Sequence, residues 1–89
     1  MPTWTVNTTE HAAKALARVP RPEQKRLRAV LGEMGENPTA GNIKRLHNER
    51  SAFRRRVGDW RIFFDLHHTS HVVTVVAIER RTTITYRRR

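Results

Sequence analysis

Arginines around a predicted hairpin are the residues of this sequence with the clearest chemical potential. Residues 53–66 alternate apolar and polar side chains, as strands do, on both sides of Gly58-Asp59, a dipeptide typical of a two-residue turn. Such a turn places Arg56 directly opposite Arg61. Like charges in that arrangement destabilise a sheet by a few tenths to about 1 kcal/mol, so the pair is better explained as an anion-binding site than as a stabilising contact.

Arg54 shares this face with Arg56 and Arg61, because side chains two residues apart lie on the same side of a strand. A solvated basic surface on a generally basic protein is the alternative explanation. Arg55 falls on the opposite, apolar face and is expected to extend its guanidinium to water. That opposite face suits packing against helices and carries Phe53, Val57, Trp60, Ile62, Phe64 and Leu66.

A second basic cluster follows the most apolar segment of the chain. It contains Arg80, Arg81 and, a few residues later, Tyr86. Nearby positive charges favour the phenolate form of a tyrosine, so a phenol among guanidiniums is a candidate proton acceptor. A tyrosine that only packs is the alternative.

Composition narrows the function classes. The chain has 89 residues, no cysteine and a formal net charge of +10, which excludes a disulfide scaffold or a thiol nucleophile and favours a polyanion or an acidic protein as the partner. No apolar run is long enough to cross a membrane and the start has no signal-peptide pattern, so a cytoplasmic protein is expected. We expect no metal or other cofactor, because the carboxylates are scattered and the histidines fall at predicted turns, in a helix or in a loop: Glu49, Asp59, Asp65, Glu79, His11, His47, His67, His68 and His71.

Periodicity predicts one α+β domain over residues 1–89, an antiparallel sheet with a helical hairpin on one face. The predicted elements are a strand at 4–7, a helix after Thr8 and Thr9 that closes at Val19-Pro20, a helix from Pro22 that ends at Gly35 and Asn37-Pro38, a polar loop at 39–51, strands at 53–57, 60–66 and 72–78, and a possible short strand at 84–86. The apolar run at 72–78 is predicted to lie inside the sheet.

The helices show apolar stripes that face the predicted core. In the first helix the stripe is Ala12, Ala13, Leu16 and Ala17. In the second it is Leu27, Val30, Leu31 and Met34, and the opposite side is basic, with Arg21, Lys25, Arg26 and Arg28.

The order of elements resembles the RelE/ParE superfamily of bacterial type II toxins over nearly the whole chain. The matching motifs are Ala13-Lys14-Ala15-Leu16 with Val19-Pro20, Glu36-Asn37-Pro38, Ile43-Lys44-Arg45-Leu46, the hairpin at 53–64, and Ile78-Glu79-Arg80-Arg81 followed by Tyr86. RelE-like members cut messenger RNA on the ribosome, and ParE-like members poison DNA gyrase.

The resemblance implies a site in the RNase branch. It assigns catalysis to Arg56, Arg61, Arg81 and Tyr86, with the 2′-OH of RNA as a metal-independent nucleophile and Tyr86 as its base; no general acid is evident. Further RNA contacts are expected at Arg54 and Arg80 and, from positive charge alone, at Lys25, Arg26, Arg28 and Arg87. The chain departs from the family in its all-arginine basic pair, in Arg55, and in the spacing to Tyr86, which leaves Arg80 as an alternative to Arg81.

The expected partners are the ribosome, messenger RNA and a cognate antitoxin. The function favoured by these residues is a ribosome-dependent endoribonuclease toxin. A gyrase-inhibiting toxin of the same fold is one alternative, and a non-catalytic basic nucleic-acid-binding module is the other.

Overall fold

The computed structural model describes residues 3–47 and 51–81. In chain order they form β1 (Thr5–Thr8), α1 (Glu10–Ala17), α2 (Arg21–Glu36), β2 (Ile43–Arg45), β3 (Phe53–Val57), β4 (Trp60–His67) and β5 (Val72–Arg80). The strands form one sheet in the order β1-β5-β4-β3-β2, so β5 lies inside the sheet as its apolar run predicted. The α+β class with an N-terminal strand and a helical hairpin is confirmed.

The sheet is mixed, whereas the sequence predicted an antiparallel one. Strands β2 to β5 form an antiparallel meander, but β1 pairs with β5 in parallel, with Thr5 opposite Val72 and Thr8 opposite Val75. The parallel pair arises because α1 and α2 carry the chain from β1 to the far edge of the sheet before the meander returns to β1.

Strand β2 lies where the sequence predicted only a polar loop. Its three residues pair with β3, with Lys44 opposite Arg54 and Ile43 opposite Arg55. A strand this short gives too few positions for a period of two to be recognised. The predicted short strand at 84–86 lies outside the described residues.

Helix α1 begins at a threonine cap and packs on β5. The Thr9 hydroxyl accepts a hydrogen bond from the Ala12 N–H (3.1 Å) and donates one to the Val76 carbonyl (3.2 Å). Ala12 and Leu16 are buried, but Ala13 and Ala17 are exposed, so the buried stripe is narrower than predicted. Ala15 packs half-buried against the core and Val19 is buried, so the buried side of α1 is turned toward Ala15 and away from Ala13 and Ala17.

Helix α2 supplies most of the helical side of the core. Leu27, Val30 and Met34 are buried and Leu31 is half-buried, as the predicted stripe requires. They pack against the sheet residues Val57, Ile62, Phe64, Val73, Val75 and Ile78. Neither described helix combines the length and hydropathy needed to cross a membrane.

Arg55 is buried on the helix side of the sheet, and the expectation that it reaches water is wrong. It is 8% exposed, and its Nη2 donates a hydrogen bond to Glu33 Oε1 at 3.0 Å. The guanidinium fills the space beside Gly41, whose φ is +87° and where a Cβ would lie 2.8 Å from Arg55 Cζ. The guanidinium of Arg55 therefore pairs with the carboxylate of Glu33 on α2, where a contact with water was expected.

A β-bulge in β5 changes which residues face the helices. Phe63 is opposite Ala77 and Phe64 is opposite Val75, so Val76 has no partner on β4. Before the bulge, Val73 and Val75 are in the core, and after it Ile78 is. The extra residue reverses the alternation of the strand, so Glu79 lies on the face away from the helices.

Candidate functional site: an arginine face of the sheet

The predicted hairpin register is confirmed. Arg56 is opposite Arg61 and Arg54 is opposite Phe63, with Gly58-Asp59 as the turn. Gly58 adopts a φ of +58°, as the first central residue of a type II′ turn requires. The turn therefore sets the register that brings the arginines together.

These arginines form two rows on the side of the sheet away from the helices. One row runs across the strands through Lys44, Arg54, Phe63 and Ala77, and the next through Arg56, Arg61 and Glu79. We call the surface formed by Arg54, Arg56, Arg61 and Arg81 the arginine face. It lies opposite the packed side of the sheet, where no described helix covers it.

Mutual repulsion among these cations is visible at Arg54. Burial lowers the pKa of its guanidinium, and the positive charges of Arg61, Arg56 and Arg81 lower it further. The arginine face thus holds at least four positive charges close enough to act on one another. A bound anion would relieve the repulsion between these cations. The arrangement therefore favours anion binding.

Two guanidinium nitrogens on this face lack protein partners. Nε of Arg54 and Nε of Arg61 are buried, and neither has a hydrogen-bond partner among residues 3–47 and 51–81. Buried donors are normally paired, and phosphate oxygens are strong acceptors for a guanidinium. Both features indicate a site shaped for a phosphate group.

Arg81 joins the arginine face because of the bulge and a backbone contact. Its N–H donates to the carbonyl of Asp59, which extends the pairing of β5 past Arg80 and holds Arg81 beside the hairpin turn. The positive charge of Arg81 lowers the pKa of Arg54. This is expected for a side chain on the same side of the sheet as Glu79.

Arg80 lies on the other side of the sheet. It is opposite Trp60, and its Cζ is 5.9 Å from the centroid of the indole ring, in a cation–π contact. The indole Nε1 in turn donates to Glu23 Oε2 of α2 at 3.3 Å. Of the two arginines that the sequence left as alternatives, Arg81 is therefore the one on the arginine face.

The other predicted RNA-binding residues lie apart from the arginine face or outside the described residues. Lys25, Arg26 and Arg28 are exposed on α2, on the helical side of the sheet. Arg26 lies beside the hairpin turn, where a Cβ on Gly58 would be 3.0 Å from its Nη1. Tyr86 and Arg87 lie outside the described residues.

Sequence reasoning missed two residues of this region. Lys44 enters the first row through the unpredicted strand β2, and Glu79 enters the second row through the unpredicted bulge. The pairing register of β2 and of β5 would have placed both residues in these rows. That register depends on contacts between segments that are distant in the sequence. Among the described residues, no three His, Cys, Asp or Glu side chains are grouped as a metal site would need.

The arrangement of elements matches solved structures of RelE toxins. The TM-score is 0.80 to a chain of the archaeal RelE–RelB complex from Pyrococcus horikoshii, with 19% identity over 91% of this chain and 98% of that one. For the toxin–antitoxin complex RelBE2 from Mycobacterium tuberculosis it is 0.79, with 22% identity over 91% and 100%. For the isolated E. coli RelE toxin it is 0.74, with 16% identity over 94% and 93%. No family model matches the sequence, and no curated protein does. The fold of this chain is that of the RelE toxins.

Proposed function

We propose that this protein is the toxin of a type II toxin–antitoxin system and that it cleaves messenger RNA on the ribosome. The observation that carries the proposal is the convergence of Arg54, Arg56, Arg61 and Arg81 on one sheet face that no described helix covers. Two buried Nε atoms of this face have no hydrogen-bond partner among the described residues. A phosphate-binding face of this kind suits an RNA substrate. The match to RelE toxins, several of them in complex with RelB, supports the toxin assignment.

The arginines stabilise charge, because a guanidinium is protonated at every working pH and cannot take up a proton. Arg56 and Arg61 face each other across the hairpin, so together they hold the non-bridging oxygens of the scissile phosphate. Arg81, with Arg54, stabilises the leaving 5′ oxygen. The nucleophile is the 2′-OH of the RNA itself.

With these roles, RNA cleavage needs no metal ion. The guanidiniums supply the positive charge that builds up against the phosphate oxygens, and the substrate supplies the attacking oxygen. Tyr86 as the group that moves the proton stays a prediction from the sequence.

The partners follow from the two basic surfaces. RelE toxins of this fold form complexes with RelB, which supports a cognate antitoxin as a partner. Its acidic groups cover the arginine face in the restrained state, because a surface of cations suits an acidic segment. The exposed residues Lys25, Arg26 and Arg28 of α2 bind ribosomal RNA phosphates while the arginine face holds the message.

Mapping transcript ends after brief expression tests the proposal. The parent chain should produce cuts within translated messages. Arg61→Ala should reduce cleavage about 10²- to 10³-fold, the usual effect of losing a preorganised donor, and Tyr86→Phe should reduce it about 10²- to 10⁴-fold. Arg18→Ala, an exposed arginine at the end of α1, is the matched control and should cleave at the parent rate.

Two results would contradict the proposal. One is intact messages in cells whose growth the parent chain arrests, which would favour gyrase as the target. The other is full cleavage by folded Arg61→Ala and Tyr86→Phe proteins, with folding verified by circular dichroism.

A further inference from the structure

Glu79 is the acidic side chain that the register places among the cations of the arginine face. It lies directly opposite Arg61 in the antiparallel pair of β4 and β5, and it is half-buried. Directly opposite residues project to the same side of a sheet. The bulge at Val76 is what brings Glu79 to this side, since without it Glu79 would share the face of Val73 and Val75.

The surroundings of Glu79 are strongly positive. Arg61 and Arg56 lie in its own row on β4 and β3, and Arg54 lies in the next row. Arg81 follows two residues later in the chain, just past the end of β5, and its N–H donates to the carbonyl of Asp59 in the turn. Strand β1 pairs with β5 only at residues 72–75 and so does not reach Glu79. Positive neighbours favour the ionised form of a carboxyl group.

Cleavage by a 2′-OH needs a group that is unprotonated at neutral pH and can accept a proton. A guanidinium cannot accept one. A phenol, with a reference pKa of about 10, is almost wholly protonated at pH 7, whereas a glutamate carboxyl, with a reference pKa of about 4.3, is almost wholly ionised. Of the described residues in the two rows, Glu79 alone has a side chain of the required kind.

We propose that Glu79 is the general base of the RNA cleavage, an inference that rests on the proposed function. Its carboxylate accepts the proton of the 2′-OH, the 2′ oxygen forms a bond to phosphorus, and the bond from phosphorus to the 5′ oxygen breaks. The 5′ oxygen leaves with a proton supplied by a group outside the two rows, and Tyr86 as a group that moves a proton stays the prediction from the sequence. The products are a 2′,3′-cyclic phosphate and a free 5′-hydroxyl.

A purely structural ion pair with Arg61 is the competing explanation, and Glu79→Gln separates the two. A glutamine can still accept a hydrogen bond from Arg61, but it cannot take up the proton. Glu36→Gln, which removes an exposed carboxylate at the end of α2, is the matched control for net charge. Circular dichroism melting verifies that both variants are folded.

The experiment is single-turnover cleavage of a defined message on translating ribosomes, at saturating protein and across a pH series. The parent rate should rise with pH only in the acidic range, up to about pH 5, and then stay level, because a carboxyl group beside cations ionises at or below its reference pKa of about 4.3. Glu79→Gln should cleave about 10²- to 10⁴-fold more slowly and lose this rise, while Glu36→Gln matches the parent. Binding of a message with a 2′-deoxy nucleotide at the scissile position should be equal or tighter in Glu79→Gln, because a negative charge is removed.

Three outcomes would overturn the inference. If Glu79→Gln keeps the parent rate or its acidic rise, Glu79 is a structural partner of Arg61, and the proposed nuclease stands provided that Arg61→Ala is inactive in the same assay. If the fall in rate is matched by weaker binding of the 2′-deoxy message, Glu79 acts by positioning. If the parent chain does not cleave at all, the inference falls together with the proposed function.

Discussion

At the scale of single residues, neighbouring arginines in this protein have different tasks that their type does not reveal. Arg54 and Arg56 lie on the arginine face, whereas Arg55 between them is buried against Glu33. The charge of Arg81 lowers the pKa of Arg54, whereas the guanidinium of Arg80 lies over the indole of Trp60. Strand alternation separates each pair, because consecutive side chains point to opposite sides of a sheet.

This separation predicts different effects of two adjacent substitutions. Arg81→Ala should reduce message cleavage about 10²- to 10³-fold with little change in stability, since it removes a donor from the arginine face. Arg80→Ala should leave cleavage within a few-fold of the parent and lower stability by about 0.5–1 kcal/mol, the usual value of an exposed cation–π contact. Transcript cleavage and urea unfolding of both variants measure these effects, and the reverse pattern would show that Arg80 is the functional arginine.

The environment of Arg54 predicts that the same positive charge favours anion binding and lowers the stability of the fold. The pKa of Arg54 is lowered by burial and by neighbouring cations, so the protonated form is less favourable in the folded than in the unfolded chain. This cost is present at every pH below the lowered pKa and is relieved only as the pH rises through it. Arg54→Met should therefore raise the free energy of unfolding throughout the neutral range, by only a few tenths of a kcal/mol because solvent screens the half-buried guanidinium.

Urea denaturation at low and high salt measures this effect. Added salt screens the repulsion, so it should stabilise the parent more than the Arg54→Met variant. The exposed Arg56, replaced by Met, provides the comparison and should gain less stability. A destabilised Arg54→Met protein would show that the side chain makes a net favourable contact.

At the scale of elements, the hairpin of β3 and β4 is held to α2 at its turn. Trp60 lies at the start of β4, is half-buried against the core, and donates to Glu23 of α2. Arg80 lies on its ring, and the next residue, Arg81, bonds to the turn at Asp59. The packing of one indole therefore helps to place Arg81.

Trp60→Ala should lower the free energy of unfolding by about 2–3 kcal/mol, below the usual loss for a fully buried tryptophan because the side chain is half-buried. Cleavage should fall as well, since the position of Arg81 depends on this packing. Trp60→Phe keeps an aromatic ring and should recover most of the stability. Chemical denaturation of both proteins is the measurement, and a change below about 0.5 kcal/mol for Trp60→Ala would contradict the packing described.

At the scale of the whole molecule, whose net charge is +10, the basic residues that the structure describes include two groups on opposite sides of the sheet. The arginine face lies on one side of the sheet, and the basic residues of α2 lie on the side that the helices cover. The sheet and the core beneath it separate these surfaces, so a short single strand of RNA that lies flat on the arginine face does not contact the exposed Lys25 and Arg28 of α2.

This division predicts two independent salt dependences. For a short single-stranded RNA, replacing Arg56 and Arg61 by Gln should weaken binding and reduce the slope of log affinity against log salt by about 0.7 for each phosphate that the variant no longer neutralises. Replacing Lys25 and Arg28 by Gln should leave that slope unchanged and reduce the slope for ribosome binding. Titrations at several salt concentrations measure both, and equal effects of the two double variants on the short RNA would show that the surfaces act as one.

Features that depend on residues close together in the chain could be predicted from the order of amino acids. The two-residue turn at Gly58-Asp59 fixed the pairing of Arg56 with Arg61, because the length of a tight turn sets the register of its strands. The period of about 3.6 residues in α2 identified its buried stripe, since each turn of a helix repeats the same direction. The arginine face was predictable to the extent that one hairpin carries it.

Features that depend on contacts between distant segments could be seen only in the folded chain. Residues 72–78 are apolar on both sides of the strand, so they carry no alternation from which a bulge could be located. The Val76 carbonyl accepts a hydrogen bond from Thr9 at the start of α1, 67 residues away in the chain. That bulge places Glu79 and Arg81 on the arginine face, just as Glu33 of α2 keeps Arg55 buried on the other side. Interactions between residues far apart in the chain therefore determine which charged side chains share a face of the sheet. The reason is that a one-residue shift in a strand moves every later side chain to the opposite face.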